Sequence, residues 1–310
     1  MTSPDPNDAE RGATQSWNVF VERRLPLDIA TSVGYVGTRT DGGYASRNLN
    51  YAESGGNASR LFFDRAGTGN ISLFASSAKA RYHSLQVAVN RPYKNGLLLK
   101  GAYTLSKAMN EVDDDGGSFS WPQASQFHRN FALGSFDRTH MLQMGFVYEL
   151  PFARNSTHPV ALVIKHWQIN GIASWLSGTP FSVGGDNGLL QQQAGMQTIN
   201  VSGDPKGGFG EAGPDERWYD PSLFSQPGND WGNSGRNAFH GPSNWNLDFS
   251  VFRTIPFGHY RMEIRAESQN VLNHAQFGTP VNGFTDPTFM RIRSLARAPR
   301  TIQLGVRFVF

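Results

Sequence analysis

Long segments with a two-residue hydrophobic period dominate this sequence, and no comparable segment has the period of a helix. In the clearest one, at the C-terminus, Ile302, Leu304, Val306, Phe308 and Phe310 occupy every second position. Such alternation predicts a strand with one apolar face. The sequence contains nine candidate strands, most about 8 to 12 residues long, which is close to the roughly 9 to 11 residues of a tilted membrane-crossing strand. Their apolar stripes lie at 17–21, 29–35, 85–89, 97–105, 140–148, 167–175, 245–251, 260–266 and 302–310.

The connections between these strands alternate strictly between shorter and longer ones. Short or medium links occupy 24–28, 92–96, 151–166 and 254–259, whereas long links rich in Gly, Pro, Asn and Asp occupy 38–80, 107–137, 178–244 and 271–300. Loops beyond about 15 residues are uncommon in compact domains. Outer-membrane barrels combine tight periplasmic turns with extended outer loops. The predicted fold is therefore all-β, an antiparallel transmembrane β-barrel portion with long outer loops.

The order of turns and loops also predicts how the chain enters the barrel. If the short turns are periplasmic, the first and ninth strands both run inward, and residues 1–16 are an outer-loop remnant. An odd, open sheet would leave two unpaired edges in lipid, where each orphan amide costs several kcal/mol. We therefore expect the chain to be the C-terminal piece of a larger barrel.

Composition excludes several other classes of function. The chain has no Cys, so thiolate metal sites and cysteine nucleophiles are excluded. Its net charge is only +3 and it contains no basic recognition motif, so nucleic acid is not an expected partner. The first sixteen residues lack a secretory signal, and the longest aliphatic run, 160–164, is far too short for a spanning helix.

A set of segments in this order resembles the C-terminal barrel of Oar-like TonB-dependent outer-membrane transporters. The resemblance covers the chain from about residue 17 onward. Its segments are YHSLQVAVNRP at 82–92, NGLLLKGAYTLSKA at 95–108, FDRTH at 136–140, YELPF at 148–152, WQINGI at 167–172, SGTPF at 177–181 and RAESQNVLNHAQFG at 265–278.

The resemblance implies that 17–310 form the C-terminal β-barrel segment of such a receptor, within a barrel of roughly 22 strands closed by a separate plug. It implies an outer-membrane location and import of a bulky nutrient. The TonB system would be contacted only through an N-terminal part that this sequence lacks, and outer-membrane lipid and the barrel-assembly machinery are the expected partners.

Three groups of residues are candidates for a role. The alternating residues Ile302, Leu304, Val306, Phe308 and Phe310 form a candidate barrel-assembly signal. The candidate lumen-facing charged ladder consists of Arg261, Glu263, Arg265 and Glu267, and the predicted interfacial aromatic girdle consists of Trp17, Tyr148, Trp167, Trp175 and Trp245.

Alternative functions remain open at this stage. The rival from another class is a soluble or surface-attached β-rich module that binds carbohydrate or peptide through loop aromatics such as Trp218, Tyr219, Phe224, Trp231 and Phe239. A weaker one is a glycan hydrolase that uses Glu111 and Asp113 as its acid/base pair. We expect no enzymatic activity, no catalytic residue, no cofactor and no metal.

Overall fold

The computed structural model describes residues 2–5, 11–53, 56–152, 158, 160–185, 196–205, 212–228 and 230–310. Its centre is one sheet in which nine strands form a continuous path of neighbours. All neighbours on this path are antiparallel. The sheet is open, because the first and last strands of the path do not pair with each other and form its two edges.

The elements have the following bounds. The strands of the main path are β2 (Ala13–Leu25), β3 (Ile29–Asn48), β4 (Ser72–Lys94), β5 (Leu97–Asn110), β7 (His140–Glu149), β8 (Trp167–Leu176), β13 (Asn244–Phe257), β14 (Tyr260–Gln269) and β15 (Thr301–Val309). They lie side by side in the order β15-β14-β13-β8-β7-β5-β4-β3-β2. The short strands are β1 (Thr2–Pro4), β6 (Ala132–Leu133), β9 (Pro180–Phe181), β10 (Asn200–Val201), β11 (Phe224–Ser225) and β12 (Phe239–His240). The helices are α1 (Phe63–Ala66), α2 (Ala161–Ile164) and the 3-10 turns Pro26–Asp28, Asn57–Ser59, Phe127–Asn130 and Pro221–Leu223.

The structure confirms the nine predicted strands and the antiparallel sheet. It differs in the length of β3 and β4, which continue to Asn48 and begin at Ser72, although the sequence predicted a loop from 38 to 80. The extension has polar residues on both faces, so no hydrophobic period marks it. The first strand likewise begins at Ala13 rather than near Trp17.

Tight turns of fixed geometry join the strands at the short-turn end. Asn95 and Gly96 connect β4 to β5 with φ of 53° and 80°, which is the left-handed conformation expected of an Asn-Gly hairpin. At the turn between β13 and β14, Gly258 has a φ of 60°. Because turn geometry fixes hairpin register, these residues align the apolar stripes of neighbouring strands.

Glycines within the strands make room for aromatic rings that lie across them. A Cβ added to Gly171 of β8 would lie 2.4 Å from the Phe146 ring of β7, and one added to Gly34 of β3 would lie 2.1 Å from the Phe20 ring of β2. An aromatic ring covering a cross-strand glycine shields the bare backbone and fixes the pairing. The glycines therefore belong to the packing of the sheet.

The outer loops form a second structure with a core of its own. It contains residues of the β8–β13 and β14–β15 connections, namely Phe181, Val183, Ile199, Tyr219, Phe224, Phe239, Phe289 and Met290. Two short hairpin pairings, β9 with β12 and β10 with β11, belong to the same region. We call this structure the loop core.

None of the helices in the described part of the chain has the length and hydrophobicity needed to cross a membrane.

Candidate functional site

The two faces of the sheet differ sharply in chemistry, and the strand register shows it directly. Val251 of β13 lies opposite Ala266 of β14, which lies opposite Leu304 of β15. On the same side, Leu142 of β7 is paired with Trp175 of β8. The stripes of all nine strands thus merge into one continuous apolar face.

This apolar face is exposed. Val19, Val21, Ile302, Leu304, Val306 and Phe308 are between 60% and 77% accessible. A contiguous exposed apolar area of this extent is rare on monomeric soluble proteins and marks contact with a membrane or a partner. In the described part of the chain no second sheet covers this face, so the sheet is not one layer of a two-layer sandwich.

Aromatic and histidine side chains form a band on the apolar face near its long-loop end. Tyr35 and His83 are joined by a 2.6 Å contact between Oη and Nδ1, and Tyr103 and His140 by a 2.8 Å contact of the same kind. The His140 ring also stacks on Trp175, with 5.7 Å between ring centroids. We call the residues Trp17, Tyr35, His83, Tyr103, His140, Trp175 and Trp245 the outer belt.

The predicted girdle residues are divided between two belts. Trp17, Trp175 and Trp245 lie in the outer belt, whereas Tyr148 and Trp167 lie near the short turns. Trp167 stacks there with Arg253, whose guanidinium carbon is 5.4 Å from the ring centroid. We call this second group the inner belt.

Eight residues separate the belts both between His140 and Tyr148 on β7 and between Trp167 and Trp175 on β8. Eight residues span about 26 Å along a strand, or about 20 Å across a membrane at a tilt of about 40°. This approaches the height of about 25 Å expected for the apolar band of an outer-membrane barrel.

Sequence reasoning missed the polar half of the outer belt, Tyr35, His83, Tyr103 and His140. A signal was present, because each of these residues occupies an apolar-face position of its strand. Tyr and His combine an apolar body with a polar tip, which suits the boundary between lipid and water.

The outer belt crosses the strands obliquely. Following the register from strand to strand, Trp17 aligns with Lys107 of β5, whereas Trp175 aligns with Tyr103 of the same strand. The four residues from Tyr103 to Lys107 correspond to about 13 Å along the strand. A belt that is level with a membrane takes this course when the strands are tilted.

The opposite face is polar and carries the predicted charged ladder. Glu263 lies 3.3 Å from Arg265 and 3.7 Å from Arg261. These contacts run along β14, although Glu263 is also paired in register with Arg307 of β15. Elsewhere on this face the contacts are mostly between amides and hydroxyls, for example Asn170 Nδ2 to Ser250 Oγ at 3.2 Å.

The predicted C-terminal signal lies at one edge of the sheet. Ile302, Leu304, Val306 and Phe308 of β15 all belong to the apolar face, in register with Ser268, Ala266, Ile264 and Met262. Phe310 follows the last strand residue and is 96% exposed.

Most of the candidate loop aromatics are buried, so they do not form a binding surface. Tyr219, Phe224 and Phe239 are at most 5% exposed. Their rings contact one another with centroid distances of 5.4 to 6.4 Å. Burial raises the pKa of the Tyr219 hydroxyl, which donates to the carbonyl of His240 at 2.9 Å.

Hydrogen bonds and one ion pair tie the β5–β7 loop to the β8–β13 connection. Trp121 is fully buried and donates from Nε1 to the carbonyl of Met196 at 2.8 Å. The Arg129 guanidinium donates to the carbonyls of Gly232 and Ser234 at 2.6 and 2.7 Å. Arg236 is 6% exposed, and its Nη1 lies 3.6 Å from Asp113 Oδ2.

The two carboxylates of the hydrolase alternative have structural partners. Asp113 contacts Arg236 and accepts from Asn110 Nδ2 at 3.1 Å. Glu111 is 8% exposed and accepts from the backbone N–H of Lys79 at 2.9 Å. In the part of the chain that the structure describes, no cluster of three or more His, Asp or Glu residues is arranged to hold a metal ion.

The sheet has two free edges. β2, with 13 residues, and β15, with 9, are the terminal strands of the path, and no described strand pairs with their outer sides. Each edge presents a row of unpaired backbone N–H and C=O groups.

Comparison with known proteins identifies what this arrangement resembles. The family model for an outer membrane beta barrel domain matches residues 1–303. No curated protein matches the sequence. Among solved structures, the outer membrane transporter YddB from Escherichia coli aligns with a TM-score of 0.51 and 11% identity over 98% of this chain and 33% of its own.

The pyoverdine outer membrane receptor FpvA from Pseudomonas aeruginosa PAO1 aligns with a TM-score of 0.51 and 11% identity over 96% of this chain and 30% of its own. The chain therefore spans about a third of the length of the solved structures it matches.

Proposed function

The chain belongs to the outer membrane beta barrel domain family, and from this premise we propose that it forms part of the wall of a larger TonB-dependent transporter that imports a bulky nutrient. The outer membrane is its location. The single observation that carries the proposal is an open sheet with one exposed apolar face, one polar face and two free edges.

The free edges support a larger barrel. Unpaired backbone groups in hydrocarbon cost several kcal/mol each, so a membrane sheet closes on itself or is completed by other strands. We propose that further strands pair with β2 and with β15. Similarity to about a third of two long outer-membrane proteins is consistent with this division.

The two faces then acquire distinct roles. The apolar face contacts lipid, with the outer and inner belts at its two boundaries. The polar face lines the lumen, and the charged ladder of Arg261, Glu263, Arg265 and Glu267 forms part of its wall at the short-turn end. In this proposal the ladder has a structural role, because the negative charge of Glu263 is already offset by Arg261 and Arg265.

Assembly and energy supply involve other partners. The alternating residues of β15 and the aromatic Phe310 are proposed to be read by the barrel-assembly machinery. The energising contact with the TonB system falls to a part of the transporter other than this wall. We propose no enzymatic activity and no cofactor for the chain.

Cysteine labelling tests the assignment of the two faces, because the natural sequence has no Cys. Ala173 and Ser174 are neighbours on β8 whose register partners lie on opposite faces, Leu247 for Ala173 and Asn246 for Ser174. In intact outer membranes, a water-soluble methanethiosulfonate should modify Ser174→Cys and leave Ala173→Cys unreacted.

Membrane fractionation supplies the control. Folded protein should be found in the outer membrane and should migrate faster on a gel before heating than after it. Equal labelling of both cysteines would contradict the two-faced wall. A soluble, monodisperse protein would favour the rival binding module.

A further inference from the structure

Four basic residues occupy apolar-face positions of three neighbouring strands, level with the outer belt or just beyond it. They are Arg39 on β3, Lys79 and Arg81 on β4, and Lys107 on β5, which we call the basic cluster. Arg39 is paired in register with Arg81, and Lys107 with His83 of the outer belt. Arg81 is two residues further out than His83, which corresponds to about 7 Å along the strand.

Asp41 supplies the one carboxylate that forms ion pairs with the cluster among the described residues. Arg39 and Arg81 both bind the carboxylate of Asp41, the latter at 2.7 Å. Arg39 and Arg81 lie directly opposite each other, and like charges in this arrangement destabilise a sheet. The Asp41 carboxylate offsets this repulsion by pairing with both guanidinium groups. The ammonium groups of Lys79 and Lys107 have no hydrogen-bond or salt-bridge partner among the described residues, and both side chains are exposed.

The other acidic groups nearby form no ion pair with the cluster in the described part of the chain. Glu111 lies beside Lys79 and accepts from its backbone N–H at 2.9 Å. Burial raises the pKa of the Glu111 carboxyl, although the charges of Lys79 and Arg81 act in the opposite direction. Asp113, Asp114 and Asp115 line a cavity of about 220 Å³ together with Lys79 and Asn110, but among the described residues none of them forms an ion pair with the Lys79 ammonium. Of these aspartates, Asp113 is bound to Asn110 and Arg236.

We propose that the basic cluster binds the phosphate group of an anionic lipid in the outer leaflet. Guanidinium groups suit phosphate oxygens because of their fork of donors, and flexible lysines add point charges. The position fits this ligand, since the cluster lies between the interfacial aromatic belt and the outer loops. The proposal rests on the assignment of the apolar face to lipid.

The surface below the cluster favours a lipid over free phosphate. Val33, Leu85 and Leu105 of the same three strands are 44%, 43% and 39% exposed. They continue the apolar face inward, where acyl chains attached to a bound headgroup would lie. A free anion would use only the charges, whereas a lipid uses both the charges and the apolar strip.

The test uses the full-length protein purified from outer membranes in detergent and titrated with diphosphoryl lipid A. The variant Lys79→Gln/Lys107→Gln removes two charges and leaves Arg39, Arg81 and Asp41 intact. Its matched control, Arg23→Gln/Arg24→Gln, removes two charges at the short-turn end of β2. We expect the cluster variant to bind lipid A about 30-fold more weakly, from two lysines near an anionic surface, and the control to bind like wild type.

Phosphatidylethanolamine and inorganic phosphate serve as comparison probes. Unchanged lipid A binding by the cluster variant would overturn the proposal, as would equal retention of phosphatidylethanolamine. Displacement of lipid A by an equal concentration of inorganic phosphate would show a free-anion site and would also overturn it. Heat-dependent migration is measured on every sample, so a failure of the membrane wall itself is distinguished from a failure of lipid binding.

Discussion

The nine-stranded sheet from β2 to β15, here called the wall, and the loop core arrange hydrophobic residues in opposite ways. On the wall, Val21 and Leu304 are 70% and 77% exposed, whereas Phe239 and Met290 of the loop core are 3% and 0% exposed. One face of the wall exposes apolar residues, and the opposite face carries amides. The loop core is packed like a small soluble protein.

The difference agrees with the proposal that one chain is exposed to two solvents, lipid at the wall and water at the loops. In lipid there is no hydrophobic gain in hiding an aliphatic side chain, so backbone pairing and polar satisfaction hold the wall together. In water, the loops gain free energy by burying aromatic rings. We therefore expect substitutions to affect folding stability by different rules in the wall and in the loop core. Four predictions test this expectation, from the largest expected effect to the smallest.

Truncation in the loop core should have the largest effect. Phe239 contacts the rings of Phe181, Tyr219 and Phe224, so Phe239→Ala should destabilise the loop core by about 3 to 5 kcal/mol. Limited proteolysis of the outer loops should become much faster, while heat-dependent migration of the barrel stays as in wild type. Loss of the folded barrel together with the loops would contradict the independence of the two regions.

A charge in the middle of the apolar face should have the next largest effect. Met144→Arg places a guanidinium midway between His140 and Tyr148 and should cost about 2 to 4 kcal/mol of folding free energy in lipid. Its control is Gln143→Arg, one residue away and on the polar face, which should cost much less. Denaturant unfolding from vesicles measures both, and equal costs would argue against lipid on one face only.

A methyl group under a packed ring should have a moderate effect. Gly171→Ala would bring its Cβ within 2.4 Å of the Phe146 ring and should cost about 1 to 3 kcal/mol through overpacking. Gly145→Ala is the control, because its nearest atom would be 3.8 Å away. The same unfolding measurement compares them, and a neutral Gly171→Ala would show that the ring moves freely.

The smallest expected effect is a pH dependence at the boundary of the two regions. Burial raises the pKa of Glu111 above its ordinary value of 4.5. The folded protein keeps this proton to a higher pH than the unfolded chain, so the contribution of Glu111 to stability falls as pH rises from 4.5 through the raised pKa.

Glu111→Gln should remove this component of the pH dependence, and loop proteolysis across the acidic range measures it. A variant with the same pH profile as wild type would show that the Glu111 carboxyl is freely hydrated.

The sequence predicted the wall far better than the loops. Alternation such as that of 140–148 is a local property, so the strands, the short turns and the two faces could be predicted from it. The outer parts of β3 and β4 could not, because in water neither face has to be apolar. The loop core was missed because Phe181, Tyr219 and Phe289 meet through contacts distant in sequence and follow no period.

The candidate residues divide in the same way. Parity along each strand predicted that the charged ladder lies on the polar face and that Trp17, Trp175 and Trp245 lie on the apolar face. Their positions near strand ends predicted that these three residues lie near one end of that face. The pairing of Tyr35 with His83 and of Tyr103 with His140 depends on register between strands, which no single segment reveals. The roles of the ladder and of the C-terminal signal remain predictions.

In the proposed orientation, with the outer belt at the lipid–water boundary, the oblique course of the belt makes the membrane sensitive to errors in strand alignment. A slip of one residue between neighbouring strands would turn every side chain to the wrong face, but a slip of two residues would keep both faces intact. Such a slip would instead shift a ring such as that of Trp175 by about 7 Å along its strand, out of the lipid–water boundary. Hydrophobic alternation alone does not disfavour a slip of two residues. The displacement of a few aromatic side chains from their depth in the membrane makes such a slip unfavourable.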